Sequence, residues 1–175
     1  LKIYKKKYKE VGKIKFNQAY MKPPEGDLTV DGVTGTAMLI DREKLKLIND
    51  WDTNIFNYFE DMDLCLRFRL KGFEIIKIRS AEVDHDAFAS HDKSLSKQLD
   101  FSRNWHYSWS RFYFLKKHTT ILGAYLYGIN VFILSVIKSF FYIFFKRTKS
   151  ITHFAKAYGT IYAILNLPPN YRPKI

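Results

Sequence analysis

The 175 residues leave room for one domain and not comfortably for two. Hydrophobic residues make up 47%, which permits a packed core and excludes wholesale disorder, while the single cysteine, Cys65, excludes a disulfide framework and a zinc site built on several thiolates. Twenty-nine Lys and Arg against 17 Asp and Glu leave a net charge of +12, an excess that suits an anionic neighbour: phosphate, nucleic acid or an acidic membrane face.

Residues 1–27 are basic and lack a clear period, and no signal peptide is legible in them. Lys5, Lys6, Lys7, Lys9, Lys13 and Lys15 interleave with Tyr4, Tyr8 and Phe16 in the manner of a phosphate-tracking, base-stacking surface, although a solvated face explains the same run. Pro23-Pro24-Glu25-Gly26-Asp27 marks a loop. Two short strands are expected next, Leu28-Thr29-Val30 and Thr36-Ala37-Met38-Leu39-Ile40, separated by Gly32 and Gly35. Asp41 can cap a short helix over 42–48, with Glu43 early in it favouring the helix dipole.

An aromatic, Asn-rich loop over 51–58 precedes a helix expected over 60–71. The first turn of that helix carries Glu60, Asp61 and Asp63, its later turns Arg67, Arg69 and Lys71, and Gly72 stops it. Residues 73–78 read as a buried strand, with Ala81, Val83 and His85 alternating beyond it. Leu95, Leu99, Trp105, Trp109 and Phe112 suit an amphipathic helix over 94–118.

The composition shifts at His118. Residues 121–137 carry no charge and span about 26 Å as a helix; with Lys138 and the apolar continuation to Phe145 the length reaches about 37 Å, against a hydrocarbon core of about 30 Å. Basic residues flank both ends, which gives no positive-inside asymmetry and favours a monotopic or re-entrant anchor slightly over a full span. A last helix is expected over 151–165, before a Pro-containing tail. The expected division is therefore 1–118, 119–148 and 149–175.

The chemistry concentrates in Glu60-Asp61-Met62-Asp63. An ordinary acidic helix start would explain it for about 1 kcal/mol or less per group. One metal ion shared by Asp61 and Asp63 is excluded on a helix, because residues two apart point about 200° away from each other. One carboxylate should instead face a cleft while the other faces the scaffold or Arg67, one turn on.

The runs Val30-Asp31-Gly32-Val33-Thr34-Gly35-Thr36-Ala37-Met38-Leu39-Ile40, Trp51-Asp52, Phe56-Asn57-Tyr58, Glu60-Asp61-Met62-Asp63-Leu64-Cys65-Leu66-Arg67, Gly72-Phe73 and Val83-Asp84-His85 resemble the C-terminal half of a family 2 glycosyltransferase. The rhamnosyltransferase-like enzymes of bacterial surface polysaccharide synthesis are the nearest subgroup. The resemblance implies an α/β protein, the acceptor half of a GT-A fold, followed by membrane-associated helices. It implies that Asp61 is the catalytic base of a single inverting displacement, taking the acceptor hydroxyl's proton. Glu60, Asp63, Gly35, Trp51 and Asp52 would bind or shape the acceptor site, and Arg67 would support Asp63 or the loop. His85 would help to hold a divalent metal ion, Mn or Mg, that belongs mostly to the upstream, nucleotide-binding half.

The partners so implied are a nucleotide-sugar donor, a lipid-linked glycan or polysaccharide acceptor, and the cytoplasmic face of the bacterial plasma membrane, with no nucleic acid. The family's donor half lies upstream of the acceptor half and is not recognisable in these 175 residues, so the chain is expected to act as a fragment lacking most of the donor site. A non-enzymatic basic membrane- or nucleic-acid-binding protein is the competing expectation.

Overall fold

The computed structural model describes residues 26–84 and 95–173. In chain order these form β1 (Leu28–Val30), α1 (Arg42–Leu47), α2 (Glu60–Leu70), β2 (Ile75–Lys77), α3 (Ser96–His118), α4 (Ile121–Ile143) and α5 (Arg147–Ile164). The described part is thus mostly helical with one two-stranded sheet, a coarser architecture than the expected α/β GT-A half. Both the basic aromatic run over 1–16 and His85 lie outside the described residues.

Local chemistry explains most element ends. The Asp41 carboxylate accepts from the Glu43 and Lys44 amides at 3.0 and 3.2 Å, capping α1, and this same contact holds its carboxyl below the usual carboxylate range. Gly72 takes φ +89° just beyond α2, a left-handed conformation that an L side chain resists. Thr120 caps α4 through the Gly123 amide.

The strands need correction. β1 pairs antiparallel with β2 in the register Leu28↔Lys77, Thr29↔Ile76, Val30↔Ile75. The expected strand over 36–40 does not form. That stretch finds no partner strand, turns at Gly35 and Thr36, and sends Met38 and Ile40 inward while Leu39 is fully exposed. Nor is 73–78 a buried strand: it pairs only over Ile75–Lys77, and Ile76 and Ile78 are about half exposed. A two-stranded ribbon covered on one face leaves its other face in solvent.

Two cores result. The first joins Ile48, Leu64 and Phe68 with Met38, Ile40, Leu45, Phe73 and Ile75, seating α1 and the ribbon on α2. The second joins Trp105, Trp109, Phe112 and Ala163, where α3 packs on α4 and α5. Small residues allow the close approach. A Cβ on Gly159 would lie 2.2 Å from the Trp105 carbonyl oxygen, and one on Gly128 would lie 2.7 Å from the Phe112 ring. Ser139 and Ser150 exchange hydroxyl-to-carbonyl bonds of 3.1 and 2.8 Å between α4 and α5. This packing extends α5 back to Arg147, four residues before its expected start.

Of its length and composition, α4 is able to cross a membrane: its 23 residues measure about 34 Å. Ala124, Gly128, Ser135 and Ser139 face the neighbouring helices, while Leu122, Leu126, Ile129, Ile133, Ile137, Phe140 and Phe144 form an exposed apolar stripe down the other side.

Candidate functional site

The site is built around the N-terminus of α2. Two consecutive non-glycine residues, Tyr58 and Phe59, precede it at φ +63° and +67°. Such conformations cost of order 1–3 kcal/mol each and persist where the surroundings impose them. Here α3 imposes them: the Tyr107 ring lies 5.8 Å from Tyr58 and 5.3 Å from Phe59, Phe114 lies 5.5 Å from Phe59, and the Ser110 hydroxyl donates to the Asn57 carbonyl at 2.7 Å.

Asp61 emerges from this turn half-buried. Its Oδ2 accepts from the Gly35 amide at 3.0 Å and its Oδ1 from the Met62 amide at 2.7 Å. Two backbone donors and the positive end of α2 thus fix a carboxylate at the surface. Gly35 acts through its amide, since a Cβ there would stand 3.7 Å from the Asp61 Cβ, an ordinary contact. Space at Asp61 therefore does not require a glycine at position 35.

Glu60 differs. Its carboxyl is raised above the usual range by burial, and further by the neighbouring Asp61 charge. One of its oxygens, Oε2, is buried without a hydrogen-bond partner.

Asp63 departs from the acceptor-site expectation. It is 0% exposed, and both oxygens are committed: Oδ2 accepts from Arg67 Nε at 2.7 Å, and Oδ1 from Lys117 Nζ at 2.7 Å and His118 Nε2 at 2.6 Å. Burial alone would raise its pKa, but the bonds from His118, Lys117 and Arg67 outweigh burial and hold it far below the usual carboxylate range. No acceptor can reach such a group, so its part is to anchor α3 on α2. Arg67 also bonds the Ile48 and Asp50 carbonyls at 2.6 Å each, gripping the turn where Asn49 and Asp50 take positive φ. It thereby supports Asp63 and the loop together.

Asp52 belongs to the same network. It accepts from Lys117 at 2.6 Å and Tyr113 at 3.0 Å, and closes a turn through the Asn54 amide. Burial acts to raise its carboxyl, and the Lys117 and Asn54 bonds bring it below its ordinary value, whereas burial and Asp52 together push the Tyr113 hydroxyl up to about 12. Trp51 is 38% exposed and free to meet a ligand. Phe56 is exposed as well, with the Arg172 guanidinium 3.6 Å from its ring centroid.

The structure therefore brings Gly35 to Asp61, and Asp52, Asp63 and Arg67 into one buried network behind it. Sequence reasoning missed the members that α3 and the tail contribute: Ser110, Tyr113, Lys117, His118 and Arg172. Lys117 and His118 were legible as charge but read as a membrane flank. Their sign, opposite to that of Asp52 and Asp63, was the available signal.

Asp61 and Asp63 diverge as their spacing requires. Among the described residues no three His, Cys, Asp or Glu side chains converge on a point that could hold a metal ion. The resemblance assigns the expected divalent ion to an upstream half and to His85, which lies outside the described residues, and no chemical step is routed through it.

No family model and no solved structure matches the chain. A 66-residue stretch, 38% of this chain, is 35% identical to rhamnosyltransferase WbbL of Escherichia coli (strain K12). The match spans about a quarter of that protein, 24% of its length. The likeness is a distant and partial relation to a glycosyltransferase.

Proposed function

We propose that the chain carries the acceptor side of an inverting glycosyltransferase of the family 2, GT-A kind, with Asp61 as the base. The supporting observation is one carboxylate, at a helix N-terminus behind a strained aromatic turn, fixed by two backbone amides and partly exposed, while its acidic neighbour Asp63 is locked inside the protein. The partial likeness to a rhamnosyltransferase supports the reaction class and makes rhamnose, delivered from a nucleotide-diphosphate sugar, the favoured donor.

In this reading Asp61 takes the proton of an acceptor hydroxyl as that oxygen attacks the anomeric carbon and the diphosphate leaves from the opposite face. Trp51 offers a ring for the acceptor sugar, and Gly35 orients the base. The acceptor is a lipid-linked glycan or polysaccharide at the cytoplasmic face of a bacterial plasma membrane, with α4 as the anchor.

The test is Asp61→Asn in the intact gene product, assayed for sugar transfer in membranes of its host alongside nucleotide-sugar binding. The expected result is at least about a hundredfold loss of transfer with donor binding retained. Transfer above about a tenth of the parent rate would remove Asp61 from the base role.

A further inference from the structure

A second site lies on the far side of Tyr107, among α3, α4 and α5. A cleft of about 290 Å³ opens there, at the small end of ligand-sized cavities. Arg111 reaches it from α3, Lys138 from α4, and His153 and Lys156 from α5. No Asp or Glu lines it, and among the described residues no carboxylate forms an ion pair with Arg111, Lys138 or Lys156. Arg111 instead stacks over the Tyr127 ring at 4.9 Å, which leaves its donors available. The Ser135 hydroxyl completes a polar floor, whereas the Thr160 hydroxyl is committed to the Lys156 carbonyl at 2.8 Å.

Arg111 and Lys138 are exposed, and Lys156 and His153 half-buried. Three cations and a histidine thus share the rim and wall of one cleft without a counter-charge, and an anion between them removes their mutual repulsion. Lys138 sharpens the point. It is the one charged residue of α4, and it sits on the side of that helix turned toward α3 and α5 rather than in the exposed apolar stripe. A charge on an apolar helix is retained where it has a partner or a polar cavity.

We infer that this cleft binds a phosphate group, and that the cations of three helices clamp the phosphate headgroup of a membrane lipid beside α4. The geometry favours phosphate because a planar guanidinium, two ammonium groups and the Ser135 hydroxyl line one cleft from three helices. It favours a lipid source because the cleft adjoins a helix whose outer face is a continuous apolar stripe, the setting in which basic pockets between helices take lipid headgroups. The proposal does not depend on sugar transfer.

The experiment uses the whole chain, purified in neutral detergent and reconstituted into bilayers of phosphatidylcholine with or without phosphatidylglycerol. Lipid retained on the protein is measured by native mass spectrometry, and thermal stabilisation by inorganic phosphate and pyrophosphate is measured in parallel. The parent should retain phosphatidylglycerol over phosphatidylcholine. Lys138→Gln with Lys156→Gln should lower that retention about tenfold, the loss of one to two charge-assisted hydrogen bonds, without lowering the melting temperature in detergent. The control Lys71→Gln with Lys97→Gln removes the same charge from exposed positions elsewhere and should leave retention unchanged. Stabilisation by free pyrophosphate that depends on Lys138 and Lys156, with no lipid preference, would assign the same phosphate site to a soluble ligand and overturn the lipid source. Equal loss in both double variants, or no loss in the first, would overturn the site.

Discussion

Asp63→Asn is the sharpest test of how the acidic helix is held. The substitution keeps the shape of the side chain but removes a buried negative charge that faces Arg67, Lys117 and His118 at 2.7, 2.7 and 2.6 Å. An amide nitrogen would then point a donor at one of these donors. Breaking a buried ion pair by removing one partner costs about 3–5 kcal/mol, because the remaining charges stay desolvated without compensation. For a chain of this size each kcal/mol moves the melting temperature by about 2–4 °C, so a fall of about 10 °C is expected.

The same group sets an acid limb. Its folded pKa is depressed, so its stabilisation is present above the ordinary carboxylate value near 4 and fades as pH falls below it. Thermal unfolding of the detergent-solubilised protein, followed by tryptophan fluorescence from pH 3 to pH 8, reads both effects, since Trp105 and Trp109 lie in α3. The parent should lose stability steeply at the acid end, and the variant should start lower and lose less there. A variant within about 1 kcal/mol of the parent at pH 7 would mean that Asp63 behaves as an exposed pair, and the anchoring of α2 by α3 would fall with it.

Three further outcomes are expected. Gly159→Ala should destabilise by about 3 kcal/mol or more and far exceed Gly128→Ala, because its Cβ meets the Trp105 backbone whereas the latter meets a ring that can shift; parallel melts decide it. Glu60→Gln should stabilise the protein at pH 7 and leave it unchanged at pH 4, since a carboxyl with a raised folded pKa is favourable while protonated and loses that advantage as pH rises; urea titrations at the two pH values check the sign. Asp61→Asn should leave the unfolding free energy within about 1 kcal/mol of the parent in parallel melts, because its bonds lie at the surface, which separates its proposed part as base from the structural part of Asp63.

Features governed by neighbours in the chain were legible in the sequence. The Asp41 cap, the charge order along α2, the Gly72 stop and the apolar length of α4 each follow from a few adjacent residues. The divergence of Asp61 and Asp63 and the Asp63–Arg67 bond follow from helical spacing alone. What depended on distant partners was not legible. Thr36 to Ile40 has the alternation of a strand yet lacks a strand to pair with, and Ile76 has strand residues around it yet no layer above it. Asp63 looked available because its helix start is acidic, and only the arrival of Lys117 and His118, more than fifty residues later, shows it to be enclosed.

α3 explains why one period could not reveal both of its roles. Trp105, Trp109 and Phe112 lie on one side of the helix, where they meet α5, α4 and Ala163. Tyr107, Ser110, Phe114, Lys117 and His118 recur at spacings of three and four on the opposite side, about 160° around the axis, and these meet the strained turn and the buried acids. The apolar stripe of such a helix is read easily from its period, and its opposite, more polar stripe passes for solvent surface. The consequence is mechanical. Tyr58 and Phe59 keep their unfavourable backbone only while the second stripe presses on them, and the second stripe stays in place only while the first is packed on α4 and α5. The geometry that presents Asp61 is therefore supported from the apolar helices through α3.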